Sequence, residues 1–359
     1  MEETVSKDWG ERFRADRPKY YDFTKEVDDL LHKILAGNSI DYVNIEARTK
    51  SVGSFCEKIS RDGKSYADPL RQITDLSACR VICYYNSDID RIDELLRKNF
   101  KVLDEYSEKK DKKENPREFG YLSRHLVVEF GAERLKFDEY KRFRTLRAEI
   151  QVRTALQHAW AAIEHKLQYK NQSEVPEPLQ RKLFQISALL ELADDEFEFL
   201  QKKLGVLRKE YQDEIESGEQ ELPINVESVD VYLLTSNAIE GVKSSLWKYG
   251  YSMAPQHPSA RNPLSKLVET LQVVGIGSVS DLDKQLFEGK TKGFWTEQFD
   301  KLFKTWKTPE MPNKLVLDPV GVVRIMLILA SKKTVAEKAL RRVPFGESLN
   351  AALKSMMVE

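Results

Sequence analysis

Between residues 42 and 170, short runs rich in β-branched residues alternate with amphipathic helical patterns, and the alternation stops at Pro176 and Pro178. That rhythm constrains the fold more than any other property of the chain. Residues 42–48 alternate as a half-buried strand does, and 76–85, 126–130 and 146–152 have the length and branching of strands. Helices are expected over 20–36, where Phe23, Val27, Leu30, Leu31 and Ile34 recur at helical spacing, over 89–100 and over 154–169. Ser51 is placed to cap a further helix running through Phe55 and Ile59. Strands interleaved with helices predict an α/β or α+β domain with a covered sheet.

After the prolines the pattern changes. Residues 179–215 read as one long charged helix with Leu183, Ile186, Leu189, Leu190, Ala193 and Phe197 along a stripe, followed by a linker at 217–223. Residues 225–359 read as mainly helical, without a repeat. Helices are expected over 229–249, over 281–287 with Ser280 as cap, and over 294–306, 320–329 and 335–343, with a turn at Gly275-Ile276-Gly277. The expected domains are therefore 1–216 and 225–359.

Bulk properties exclude several classes of protein. At 359 residues the chain is long enough for about two domains. Its 57 Lys and Arg against 58 Asp and Glu leave a net charge of -1, so it is no polyanion-coating protein and any nucleic-acid contact must be local. No apolar run approaches the ~20 residues needed to span a bilayer. The first residues are charged where a secretion signal is apolar, which points to a cytoplasmic protein with no membrane partner. Cys79 and Cys83 lack the CxxC spacing and lie in an apolar run, so with Cys56 they read as buried thiols rather than a disulfide or zinc site. Beyond residue 225 there is no Cys and only His257, which argues against a metal site there.

The polar residues of the first half carry the chemistry. Arg48 and Lys50 share one strand face, and Ser54 and Lys58 share one helix face beside that helix's N-terminus. Such a cluster is either a solvated basic face or an anion site. Asp75 precedes one apolar strand and Glu149 lies within another, where a charge is costly unless paired or bound to a cation. Each is thus an edge or ion-pair residue, with Arg80 or Arg153 as partner, or one of two ligands of a Mg²⁺ ion. Residues 109–121 form a charged loop ending in Phe119-Gly120-Tyr121, with Ser123 and His125 beyond it.

In order, Arg48, Lys50, Ser54 and Lys58, then Asp75, Leu76, Arg80 and Val81, then Gly120, Tyr121, Ser123 and His125, then Glu149 to Thr154, then His158, Trp160, Glu164, His165, Lys166 and Tyr169 resemble the synthetase domain of the RelA/SpoT family of alarmone synthetases. The resemblance spans roughly residues 40–170. It implies an α+β, nucleotidyltransferase-like mixed sheet flanked by helices, and a Mg²⁺-dependent pyrophosphokinase that moves the β,γ-diphosphate of ATP to the 3′-hydroxyl of GDP or GTP, as in the stringent response. By position, Arg48 and Arg80 would pack on adenine, and Lys50, Ser54 and Lys58 would hold the phosphates. Asp75 and Glu149 would bind the metal, Glu149 also orienting or deprotonating the 3′-hydroxyl. Tyr121 would stack the acceptor's guanine, with Arg117, His125, Gln151, Arg153 and His158 around it. His158, Trp160 and Tyr169 also suit a helix that only packs on the sheet.

The 40 residues before the resemblance are too few for the His-Asp hydrolase domain of long relatives, so synthesis without hydrolysis is expected. Phe119 and Arg117 stand where guanine-preferring members often have Asn and Lys. This opens an alternative: a toxin-type relative that modifies adenosine nucleotides or the 3′-end of tRNA, restrained by its C-terminal half as a toxin-antitoxin fusion. A third reading is an inactive nucleotide- or RNA-binding module. In the C-terminal half, Phe294, Trp295, Phe299, Phe303 and Trp306 lie on a helical stripe beside Lys292, Lys301, Lys304 and Lys307, which suits either base stacking or a packed helix. That half is expected to regulate the enzyme or bind a protein partner.

Overall fold

The computed structural model describes residues 2–61, 65–109, 123–170, 177–217, 221–236, 242, 246–248, 252–253, 261–291, 293–306 and 316–357. Two compact units divide the chain, Met1–Gln201 and Lys202–Glu359. The division falls inside a helix, upstream of the stretch at 217–223.

The first unit opens with α1 (Glu2–Gly37). This helix is far longer than the expected 20–36. Its first half holds few apolar residues, and Pro18 inside it reads as a stop because it removes one backbone donor. Phe13, Tyr20, Phe23, Val27, Leu31 and Ile34 recur at threes, fours and sevens and are all buried, so tertiary packing carries the helix through the proline. The chain continues as β1 (Tyr42–Thr49), α2 (Val52–Ile59), α3 (Pro69–Gln72), β2 (Ser77–Cys83), α4 (Asn86–Asn99), β3 (Lys101–Val102), β4 (Glu108–Lys109), β5 (Arg124–Glu129), α5 (Asp138–Lys141), β6 (Ala148–Thr154), α6 (Ala155–Lys170) and α7 (Glu177–Ser217). Ser51 caps α2 as expected, accepting a hydrogen bond from Ser54 N.

The sheet is mixed and runs β1-β2-β6-β5-β3, with β4 also on β5. β2 and β6 are parallel, and the other pairs are antiparallel. Because side chains alternate across a strand, Cys79, Val81, Ala148, Ile150, Leu126 and Val128 point to one side and join α1 and α4 in a single core. Phe23 anchors it, with its ring 5.0 Å from Phe130 and 5.6 Å from Phe143. The same alternation turns the polar residues of β1, β2, β5 and β6 to the opposite side.

The second unit is helical, as expected, apart from the short parallel pair β7 (Ser252–Met253) and β8 (Val316–Leu317). After the end of α7 come α8 (Val226–Thr235), α9 (Arg261–Val274), α10 (Val279–Phe287), α11 (Phe294–Trp306), α12 (Pro319–Ala330), α13 (Lys333–Arg342) and α14 (Glu347–Met356). Val322, Val323, Ile325, Met326 and Leu327 of α12 are wholly buried and form its centre. Two sequence expectations need correction. The helix over 229–249 is interrupted: α8 ends at Thr235, where Ser236 adopts extended backbone as its C-cap, and helical backbone is described again at 242 and 246–248. The cap of α10 is Ser278 rather than Ser280; its side chain accepts from Asp281 N. The turn at 275–277 is present, with Gly275 at φ 86°, a value that a side chain disfavours.

Candidate active site

Strand registry assembles the site. Glu46 lies opposite Arg80, Arg80 opposite Gln151, and Gln151 opposite His125, on four adjacent strands. Arg48 and Lys50 follow Glu46 at two-residue steps, and Glu149 and Arg153 flank Gln151 the same way. One face of the sheet, with Lys58 of α2 and Asp75 of the turn before β2 at its edge, thus gathers the cations Arg48, Lys50, Lys58, Arg80 and Arg153 around the carboxylates Glu46, Asp75 and Glu149. A face with excess positive charge suits a polyphosphate.

Asp75 sits in the turn before β2, where Lys50 and Lys58 converge on it from either side. Lys50 Nζ donates to Oδ2 at 2.5 Å and Lys58 Nζ to Oδ1 at 2.8 Å. Lys50 is almost fully buried, and its backbone N–H donates to Leu76 O. Burial pushes the Asp75 carboxyl up, but the two lysines outweigh it and hold the group below its ordinary value.

Glu149 is built into a different network. Its Oε1 accepts from Gln151 Nε2 at 2.7 Å and lies 3.1 Å from His125 Nδ1. A carboxylate only accepts, so His125 Nδ1 carries the proton, and in the neutral ring Nε2 accepts from Ser123 Oγ, 2.7 Å away. Gln151 is oriented in turn by Arg80 Nε (3.2 Å) and Arg153 Nη2 (2.5 Å), both donating to Oε1. Burial pushes the Glu149 carboxyl up, the His125 and Gln151 hydrogen bonds pull it down further, and it settles low. Burial together with the Arg80 charge lowers Arg153. Neither carboxylate pairs directly with Arg80 or Arg153: lysines hold Asp75, and Gln151 stands between Glu149 and both arginines.

The structure brings Arg80, His125, Gln151, Arg153 and Glu149 together, and Lys50, Lys58 and Asp75 beside them. Ser54 lies in the first turn of α2, its Oγ 3.0 Å from Ser51 Oγ, and Arg48 is exposed on the same sheet face. His158 on α6 approaches Glu46, with 3.9 Å between Nε2 and Oε1. Trp160 is buried, which accords with a packing role. Arg117 and Tyr121 lie outside the described residues, as does the Tyr169 side chain. Sequence reasoning missed Glu46, which accepts from Arg80 Nη1 at 3.2 Å. The signal was available, since residues 46, 48 and 50 alternate onto one face, but an acid among cations reads as solvated.

Mg²⁺ takes one or two carboxylates and fills its shell with water and phosphate oxygens. Asp75 and Glu149 supply two, and the Asp75 charge acts on Glu149. No third acidic, His or Cys ligand joins them among the described residues. This donor set fits an ion completed by substrate phosphates rather than a closed protein cage. His158 Nδ1 and Arg153 Nε are buried without a hydrogen-bond partner among the described residues, so the site holds polar capacity that its own side chains do not use.

A family model described as the region found in RelA / SpoT proteins matches residues 47–174. The GTP pyrophosphokinase YjbM of Bacillus subtilis (strain 168) is 33% identical over 157 residues, covering 42% of this chain and 68% of that protein. The chain belongs to the RelA/SpoT family. A second relative, the GTP pyrophosphokinase YwaC of the same organism, is 27% identical over 216 residues, covering 57% of this chain and 93% of that protein. The small alarmone synthetase 1 of Bacillus subtilis, solved bound to its product pppGpp, has 28% identity and a TM-score of 0.44 over 55% of this chain and 98% of that chain. The RelA/SpoT match contains every site residue described above except Glu46, one position before it. All of α1, all of α7 and the second unit lie outside it. No helix among the described residues is long and apolar enough to cross a membrane.

Proposed function

We propose that this RelA/SpoT protein is a pyrophosphokinase that transfers the β,γ-diphosphate of ATP to the 3′-hydroxyl of GDP or GTP. The observation that carries the reading is the shared sheet face, on which two lysines meet Asp75 beside a Glu149 held by His125 and Gln151. Its relatives named as GTP pyrophosphokinases support the same reaction.

In this reading Asp75 and Glu149 would hold Mg²⁺, and Lys50 and Lys58, which meet Asp75 in the free site, would contact the ATP phosphates. The ion supplies charge neutralisation on the diphosphate being transferred. Lys50, Lys58 and Ser54 hold the donor in line, and Arg48 and Arg80 flank its adenine. Gln151, Arg153, His158, Arg117, Tyr121 and His125 surround the acceptor. The acceptor's 3′-oxygen bonds to the β-phosphorus, the bond from that phosphorus to the α,β-bridging oxygen breaks, and AMP leaves. Glu149 orients the attacking hydroxyl and passes its proton to water. A carboxylate held this low is a weak base, and diphosphate transfer depends on positioning and charge more than on proton abstraction.

The test incubates the full chain with Mg²⁺, ATP labelled on its γ-phosphate, and GDP, GTP or deacylated tRNA in separate reactions. Label on the guanosine nucleotides is expected. Label on tRNA alone would move the function to the toxin-type alternative. Transfer to none of them, by the full chain and by residues 1–216, would support an inactive module.

A further inference from the structure

Helix α1 lies wholly outside the RelA/SpoT match, yet it is bonded to the strand ends that lead to Lys50 and Asp75. Thr49 Oγ1 donates to Thr24 Oγ1 at 2.9 Å, and Thr24 Oγ1 donates to Tyr20 O at 2.7 Å. Ser77 Oγ donates to the same carbonyl at 3.2 Å. Thr49 and Ser77 are partners across β1 and β2, so α1 ties both strands at one point. It grips α2 as closely. Phe13 stacks on Phe55 with 4.6 Å between ring centroids, and a Cβ on Gly10 would stand 2.7 Å from Cys56 Sγ, inside van der Waals contact.

Between these two grips lies Lys50, and Arg17 Nε donates to its carbonyl oxygen at 3.1 Å. That carbonyl stands past the last β1–β2 pair, Thr49 with Ser77. It also precedes the carbonyl of Ser51, which accepts from Phe55 N in the first turn of α2. No backbone donor among the described residues reaches it, and Lys50 is almost fully buried. A buried carbonyl left without a donor is costly, so Arg17 fixes the peptide plane between Lys50 and Ser51. Two parts of the site depend on that plane. One is the direction in which Lys50 leaves the backbone toward Asp75, and the other is Ser51, whose hydroxyl caps the helix bearing Ser54 and Lys58.

We propose that Arg17 is a positioning residue for diphosphate transfer, holding the 50–51 peptide so that Lys50 meets the ATP phosphates alongside Lys58. Helix α1 is thereby part of the catalytic unit, although the family region begins after it. Because Arg17 acts through Lys50, this role rests on the donor site proposed above. It concerns the donor alone, since His125, Gln151, Arg153 and His158 of the acceptor side are built on β5, β6 and α6.

Calorimetric titration of the full chain with Mg²⁺ and an ATP analogue carrying a methylene between its α- and β-phosphorus reads donor binding without any acceptor. Arg17→Met keeps the apolar stem but removes the donor. It weakens that binding by about tenfold and raises KM for ATP to match, while KM for GDP and GTP stays unchanged. Arg17→Gln sets an amide N–H as far along the side chain as Nε and drops the charge, and it recovers most of the binding. Val27→Ala removes buried volume from the same helix, so it lowers the melting temperature yet binds the analogue as wild type does. Circular dichroism confirms the fold of each variant. Wild-type affinity in Arg17→Met overturns the role of Arg17 and leaves the proposed reaction standing. So does a loss shared equally with Val27→Ala, a loss on donor and acceptor alike, or an Arg17→Gln variant as weak as Arg17→Met. A wild type that binds no analogue and transfers nothing overturns both.

Discussion

The sheet face of the first unit and helix α11 of the second offer the same raw material, cations beside groups able to contact a nucleotide, yet the fold uses them in opposite ways. On the sheet, Arg48, Lys50, Arg80, Gln151 and Arg153 alternate with apolar residues at period two. Once the apolar set is buried against α1, every polar member must emerge on the same side. On α11, Trp295, Phe299, Phe303 and Trp306 are all buried, Phe303 packing 6.2 Å from Trp306. Trp295 Nε1 donates to Leu286 O, and Lys301 pairs with Glu297 at 2.7 Å on the outside. The stripe is core, and the base-stacking reading of it fails. Lys292 and Lys307 lie outside the described residues. Cations mark a nucleotide site when a second constraint brings them to one open surface, and a helix that buries its aromatics provides none.

The comparison can be broken most directly from both ends. Phe299→Ala should cost about 3–5 kcal/mol of stability in the second unit, seen by calorimetry, because it opens a cavity in a packed core. Glu149→Gln should lower diphosphate transfer by about 10²–10³-fold with the fold retained by circular dichroism, because it removes a charge without removing volume. If transfer survives Glu149→Gln, the polar face is no more functional than the stripe.

Lys50→Met sharpens the electrostatic side. It keeps the apolar stem but leaves Asp75 with Lys58 alone, so it should cost about 1–3 kcal/mol in denaturant unfolding and should weaken ATP binding as well. The smallest effect is the pH dependence. Asp75 and Glu149 are both held below their ordinary values, so the stability they contribute is complete above the normal carboxylate range and is lost as pH falls through the lowered values. The stability difference between wild type and Glu149→Gln should shrink on acidification. A difference that grows toward acid would reverse the sign and remove the argument for an ionised Glu149.

Much of the site was legible because it lies on strands. Period-two alternation declares faces from residue types alone, and Ser51 before α2 is a local capping signal. The reach of α1 was not legible, since Pro18 argues locally for a stop and only packing against the sheet overrides it. The end of α8 was misplaced because Ser236 is weak punctuation, and the cap of α10 because Ser278 and Ser280 compete for one role. Asp75 and Glu149 stood out as costly charges, but their partners did not, because Lys50 and His125 reach them only once strands pair, and Lys58 only once α2 folds beside the turn that holds Asp75.

By itself, then, the sequence determined that one sheet would have an apolar and a polar side, that the second half would be helical, and that cations and two acids would share a stretch of about a hundred residues. Those are consequences of periodicity and composition, which act locally. Tertiary structure decided that β6 lies between β2 and β5, and this places Gln151 within reach of Arg80 and sets Glu149 beside His125. It also decided that the aromatics of α11 are core. Which surfaces meet depends on contacts between distant residues, and no local pattern encodes them.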